Sequence, residues 1–140
     1  MFEKNLVDRL ECHLSSEGEA VFREVPFLQR YIDIIGYNKA SGKIVAIEAK
    51  IKNWRVALQQ ARICLLCSDE VYIALPQKFV HRVASDSLQS LGIGLLSVGD
   101  DVEIIIKPGP PKYKHDYHFE WLIALLNRIE TAKNGGSSDV

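Results

Sequence analysis

Asp33, Glu48 and Lys50 are three ionisable residues set inside runs otherwise apolar enough to form the centre of a core. Asp33 lies in Arg30-Tyr-Ile-Asp-Ile-Ile-Gly-Tyr37, and the other two lie in Lys43-Ile-Val-Ala-Ile-Glu-Ala-Lys-Ile51. Both runs are dense in β-branched and aromatic residues and read as strands. The linker Asn38-Lys-Ala-Ser-Gly42 is polar and ends in glycine, as a hairpin loop of this length should. Alternation along a strand puts Glu48 and Lys50 on one face with Ile44 and Ala46, and Val45, Ile47, Ala49 and Ile51 on the other. Pairing of the two strands can bring Asp33 onto the face of Glu48. A buried ion costs several kcal/mol unless it is paired or binds metal. Two carboxylates and an ammonium in one place point to a divalent cation, and their crowding predicts a raised pKa for one carboxyl group. A structural Asp33–Lys50 ion pair with Glu48 at a sheet edge would explain two of the charges and leave the third alone.

The elements around these residues follow from periodicity. Residues 2–14 read as a helix with Leu6, Val7, Leu10 and Leu14 as its apolar stripe, stopped by Ser15-Ser-Glu-Gly18. Ala20 to Val25 reads as a strand ended by Pro26. Asn53 is the expected N-cap of a helix from Trp54 to about Cys67. Val71 to Leu75 is an apolar strand of the kind buried on both faces. Residues 78–91 read as a helix, residues 92–98 and 102–107 as strands across Gly99-Asp-Asp101, and residues 118–131 as a final amphipathic helix. The order is αβββαβ followed by αββα. It predicts one α/β domain over residues 1–132, with a mixed central sheet flanked by helices, and a flexible tail over 133–140.

These residues and elements resemble the PD-(D/E)XK restriction-endonuclease-like superfamily. The likeness lies in a helix, a three-strand meander, a helix and a strand, with an aspartate on the second strand and Glu-x-Lys on the third. The motif here is Asp33, fourteen intervening residues, then Glu48-Ala-Lys50, with Gln60 ten residues further on the next helix. Trp54-Arg-Val-Ala-Leu-Gln-Gln-Ala61, Val71-Tyr-Ile-Ala-Leu-Pro76 and Leu91-Gly-Ile-Gly-Leu-Leu96 extend the likeness over residues 3–98. Ile32 stands where a proline precedes the aspartate in the motif's name. Cys64 stands where RecB-like members carry tyrosine after the glutamine.

The resemblance implies a restriction-endonuclease-like core and metal-assisted hydrolysis of phosphodiester bonds, with DNA as substrate. Asp33, Glu48 and the Ala49 carbonyl would hold Mg²⁺ or Mn²⁺, since Mg²⁺ typically takes one or two carboxylates plus waters and phosphate oxygens. Lys50 would offset developing negative charge. Gln60 would position water or backbone, and an acid from the first helix, Glu3 or else Glu11, would join them. A core of this size would need a homodimer or a larger nucleic-acid-processing complex to supply further DNA-binding surface. The competing expectation is a non-catalytic module that binds nucleic acid or protein within such a complex.

Composition fits an ordinary globular chain. Of 140 residues, 47% are hydrophobic and 25% charged, and the net charge of −1 gives no global signature of a nucleic-acid coat protein. Three cysteines in apolar surroundings suit a reducing cytoplasm. Nothing resembles a signal peptide, and no run approaches the ~18 apolar residues of a membrane span.

Other motifs have simpler readings. Cys64-Leu-Leu-Cys67 has redox spacing but lies in an apolar helix, so these thiols and Cys12 are expected to be buried and reduced. His115-Asp-Tyr-His118 reads as a solvated loop before the last helix, with metal binding as the alternative. Tyr37 and Trp54 suit either packing or base stacking. Arg23, Arg30, Lys39, Lys43, Lys52, Arg55 and Arg62 cluster in sequence around the charged strands and could face phosphate.

Overall fold

The computed structural model describes residues 2–135. The elements are α1 (Glu3–Ser16), β1 (Ala20–Phe27), β2 (Arg30–Asn38), β3 (Lys43–Ala49), α2 (Trp54–Cys64), β4 (Glu70–Pro76), a 3₁₀ turn (Gln77–Arg82), α3 (Ser85–Gln89), β5 (Gly94–Val98), β6 (Val102–Ile106) and α4 (Asp116–Gly135). One six-stranded sheet runs in the order β1-β2-β3-β4-β5-β6. The β3–β4 and β4–β5 pairs are parallel, and the other three are antiparallel. The fold is therefore a mixed α/β fold with a mixed sheet between helices. Among the described residues no helix is long and apolar enough to cross a membrane.

Each face of the sheet has its own core. On one side Leu6, Leu10 and Leu14 of α1 meet Ile34, Val45 and Ile47. On the other, Ala57 and Ala61 of α2 and Leu122 and Leu126 of α4 meet Ile44 and Ile73. Strand β4 lies between the two layers and is buried from Val71 to Pro76, which accounts for its unbroken apolar run. The N-cap is formed as the sequence predicts, with Val56 N–H donating to Asn53 Oδ1 at 3.3 Å. Gly18 ends α1 with φ +84°, a conformation that a side chain would strain.

Three element boundaries and the burial of one cysteine differ from what the sequence predicts. Strand β1 continues through Pro26 to Phe27 because it is an edge strand, where a missing N–H costs no ladder bond. Residues 78–91 do not form one helix; the chain is extended at Val83 and Ala84 between the 3₁₀ turn and α3. The β-branched Val80 and Val83 and the scarcity of strong helix formers give local propensity little to hold a continuous helix against. Helix α4 continues through Gly135, past the expected boundary at 132, while residues 136–140 of the expected tail lie outside the described residues. Cys12 is exposed, on the side of α1 away from Leu6, Leu10 and Leu14.

Gly94 permits the close packing of β5 against its neighbours. A Cβ there would lie 2.7 Å from both the Ile106 carbonyl oxygen and Tyr72 Cδ1. The first is backbone and cannot move without breaking the sheet. Gly94→Ala should therefore cost about 1–3 kcal/mol through overpacking. A lower urea midpoint at unchanged m-value would show this loss, and an unshifted midpoint would contradict the packing described.

Candidate active site

Asp33 is released from the ladder on both sides. The β2–β3 register runs from Asn38↔Lys43 only as far as Ile34↔Ile47, so the two strands part beside Asp33. On the other side, the β1–β2 register passes from Arg23↔Ile34 to Val25↔Ile32 and skips Glu24, whose φ is +49°. Glu24 and Asp33 stand opposite each other without a ladder pair, and the register is the same on either side; a non-glycine residue held at positive φ costs on the order of 1–3 kcal/mol. Side-chain bonds replace the ladder here. Ala49 N–H donates to Asp33 Oδ2 at 2.9 Å, and Asp33 N–H donates to Glu48 Oε2 at 3.4 Å.

The two carboxylates differ in their surroundings. Glu48 follows the alternation and is fully buried on the side of Ile44 and Ala46. Arg30 Nη2 donates to its Oε1 at 3.2 Å, and Arg30 Nε is buried without a partner. Burial, and then the adjacent Asp33 carboxylate, push the Glu48 carboxyl up to about 8, with Arg30 opposing them. Asp33 is half-buried and lines an open cleft of about 500 Å³ with Glu3, Arg23, Glu24, Ala49 and Lys50.

Lys50 does not share the face of Glu48. Strand β3 ends at Ala49, so the alternation stops there, and the Lys50 ammonium turns into the cleft, 3.5 Å from Glu3 Oε1 on α1. An Asp33–Lys50 ion pair with Glu48 at a sheet edge is thus not what forms; Glu48 is paired with Arg30, and Lys50 with Glu3. Of the two acids on α1, Glu3 joins the cleft, while Glu11 is held by Arg23 Nε at 2.5 Å. Gln60 is half-buried on α2 and does not line the cleft.

The donor set fits a hard cation. Among the described residues no three of His, Cys, Asp and Glu converge as a metal cage. Mg²⁺ needs only one or two carboxylates, because it keeps several waters. Asp33 offers a carboxylate on the cleft, Glu48 lies directly behind it, and the Ala49 carbonyl belongs to the adjoining strand end. A proton on Glu48 or a cation beside Asp33 would relieve the same crowding.

The other motifs resolve into packing and pairing. Tyr37 and Trp54 are buried in the core and offer no face to a base. Cys64 and Cys67 are free thiols buried beside α2, and burial raises both. The His115 and His118 rings lie 5.2 Å apart, tilted by 55°, and His118 packs edge-on against Phe27. Arg23, Arg30, Lys39 and Lys43 are all paired with carboxylates, which leaves them poor phosphate ligands. No local pattern signals the Arg30–Glu48 pairing, which joins residues eighteen apart across two strands. A larger hollow of about 940 Å³ opens beside Tyr37, Lys43, Asp69 and Lys114. Both of its cations are already matched, as Lys43–Glu70 and Lys114–Asp69, so it carries less chemistry than the smaller cleft.

The raised Glu48 makes a prediction for the metal-free protein. The native state binds this proton more tightly than the unfolded chain, so stability falls as pH rises from about 4.5 to about 8 and levels off above. The slope is at most ~1.4 kcal/mol per pH unit. Glu48→Gln should flatten that dependence and melt no lower than the wild type at pH 8 in EDTA. Melting curves in which Glu48→Gln is strongly destabilised at pH 8 would instead make the Arg30–Glu48 pair a structural brace.

No family model matches the chain, and no curated protein matches it. Among solved structures it is similar to the SPO1766 protein of unknown function from Silicibacter pomeroyi, with a TM-score of 0.62 and 18% sequence identity. The match covers 94% of this chain and 90% of that one. At that identity the likeness shows a shared mixed α/β fold and nothing about function.

Proposed function

We propose that the chain is a Mg²⁺-dependent nuclease with a restriction-endonuclease-like core, hydrolysing phosphodiester bonds of DNA. The observation that carries this reading is Asp33, freed from both neighbouring strands and set between buried Glu48 and a cleft that also holds Lys50 and Glu3. The αβββαβ order and the Asp33…Glu48-Ala-Lys50 spacing support it. A divalent cation held beside Asp33 would polarise the scissile phosphate and lower the pKa of a bound water. Asp33 supplies the ligand on the cleft, and Glu48 supports it directly or through water. Lys50, on the same cleft, offsets negative charge that develops on the phosphate. Glu3 holds the Lys50 ammonium in place. Gln60 has no part in this account, because it lies off the cleft.

The test is cleavage by the purified protein of linear duplex, single-stranded and branched DNA, with Mg²⁺ or Mn²⁺ and with EDTA. Metal-dependent cleavage of at least one substrate is expected. The second reading, a non-catalytic module in a nucleic-acid-processing assembly, draws on the Arg30–Glu48 pair, which turns Glu48 away from the cleft. Metal-independent DNA binding with no cleavage of any substrate would favour it.

A further inference from the structure

Beyond the cleft, the strand ends carry a cluster of cations that the sequence does not place together. Lys52 Nζ lies 5.7 Å from the centre of the Phe79 ring, Lys78 Nζ 5.1 Å and the Arg82 guanidinium 4.7 Å. The Arg55 guanidinium lies 4.6 Å from the Trp54 ring on the same loop-to-helix segment as Lys52. All four cations are exposed, and among the described residues none of them forms an ion pair. Three like charges around one ring repel one another, and cation–π attraction of about 0.5–1 kcal/mol each at exposed sites offsets this only in part. A polyanion would neutralise them.

The cluster stands at the same end of the sheet as the cleft. Lys52 follows Lys50 by two residues, and Lys50 N–H donates to the Ala74 carbonyl at 3.1 Å, joining the end of β3 to β4. Strand β4 ends at Pro76 and leads directly into the turn that carries Lys78 and Arg82. We propose that Lys52, Arg55, Lys78 and Arg82 form a ridge that binds the phosphate backbone of nucleic acid and leads it to the Asp33–Lys50 cleft. The choice of ligand rests on the nuclease reading of that cleft. An anionic membrane is the poorer match, because interfacial binding needs an exposed apolar face beside the charge. Phe79, the apolar side chain at the centre of the ridge, is half-buried under its cations.

The experiment is fluorescence anisotropy of labelled duplex and single-stranded DNA in EDTA over a range of salt. The arms are the wild type, Lys78→Glu/Arg82→Glu, Lys52→Ala/Arg55→Ala, and Lys112→Glu/Arg128→Glu as a charge-matched control. The exposed positions keep each variant folded, which melting curves verify. Each ridge variant should bind at least tenfold more weakly, and its salt slope should fall by about 1.4–1.8 for two lost phosphate contacts, with the control unchanged. Ridge variants that bind like the wild type, a wild type that binds no DNA, or one that binds only phosphatidylserine vesicles would overturn the ridge. A parallel Mg²⁺ cleavage assay separates the two claims. DNA held through the ridge but left uncut removes the nuclease and keeps the ridge; cleavage with binding untouched by the ridge variants does the reverse.

Discussion

Asp33→Asn should abolish Mg²⁺-dependent cleavage while leaving the fold intact. An asparagine carbonyl oxygen can still accept the Ala49 N–H bond that Asp33 Oδ2 accepts at 2.9 Å, so the splayed end of β2 and β3 keeps its tie. The charge that would hold the cation on the cleft is gone. Metal-ion catalysis supplies several kcal/mol, so the loss should be on the order of 10²–10⁴ in rate. A second readout is independent of turnover. A ligand at a hundred times its Kd stabilises a protein by about 2.7 kcal/mol, so Mg²⁺ should raise the melting temperature of the wild type and not of Asp33→Asn. The substitution also removes the negative charge beside Glu48, so the metal-free variant should be as stable as the wild type or more so. If Asp33→Asn is badly destabilised without metal, Asp33 is a structural cap and not a ligand.

Lys50→Ala should retain Mg²⁺-induced stabilisation and DNA binding and lose cleavage rate. Lys50 lines the same cleft as Asp33, and an ammonium is no metal ligand, so its effect belongs to the transition state. Removal of one preorganised charge-stabilising group costs about 10²–10³ in rate, read as single-turnover cleavage at saturating protein. Glu3→Gln should cost less, since Glu3 only positions Lys50. A Lys50→Ala variant that cuts at the wild-type rate removes Lys50 from the mechanism. One that loses metal-induced stabilisation would show that Lys50 shapes the metal site itself.

Much of the fold is legible because its signals are local. The Leu6, Leu10 and Leu14 stripe, the Asn53 cap, the Asn38–Gly42 hairpin loop and the unbroken apolar run of β4 each depend on residues a few positions apart. The site is less legible, because its geometry depends on where regular structure stops. Alternation places Lys50 beside Glu48 only if β3 continues beyond Ala49, and it does not. The break in pairing at Glu24 that frees Asp33 has no glycine to announce it, although Glu24 takes a φ of +49°. Arg30 looks like one more surface cation until the hairpin fold brings it to Glu48. Lys78 and Arg82 look like neighbours on the face of one long helix until the 3₁₀ turn Gln77–Arg82 sets both against Phe79.

A single divalent cation should bind on the cleft side of Asp33, with Glu48 behind it and Lys50 lining the same cleft. An anomalous difference map from crystals soaked in Mn²⁺ tests this most directly. One strong peak is expected within bonding distance of an Asp33 carboxylate oxygen, with Glu48 bound directly or through one water. At saturating Mn²⁺, a map with no peak at Asp33, or with its strongest peak elsewhere and the Arg30–Glu48 pair undisturbed, would contradict it.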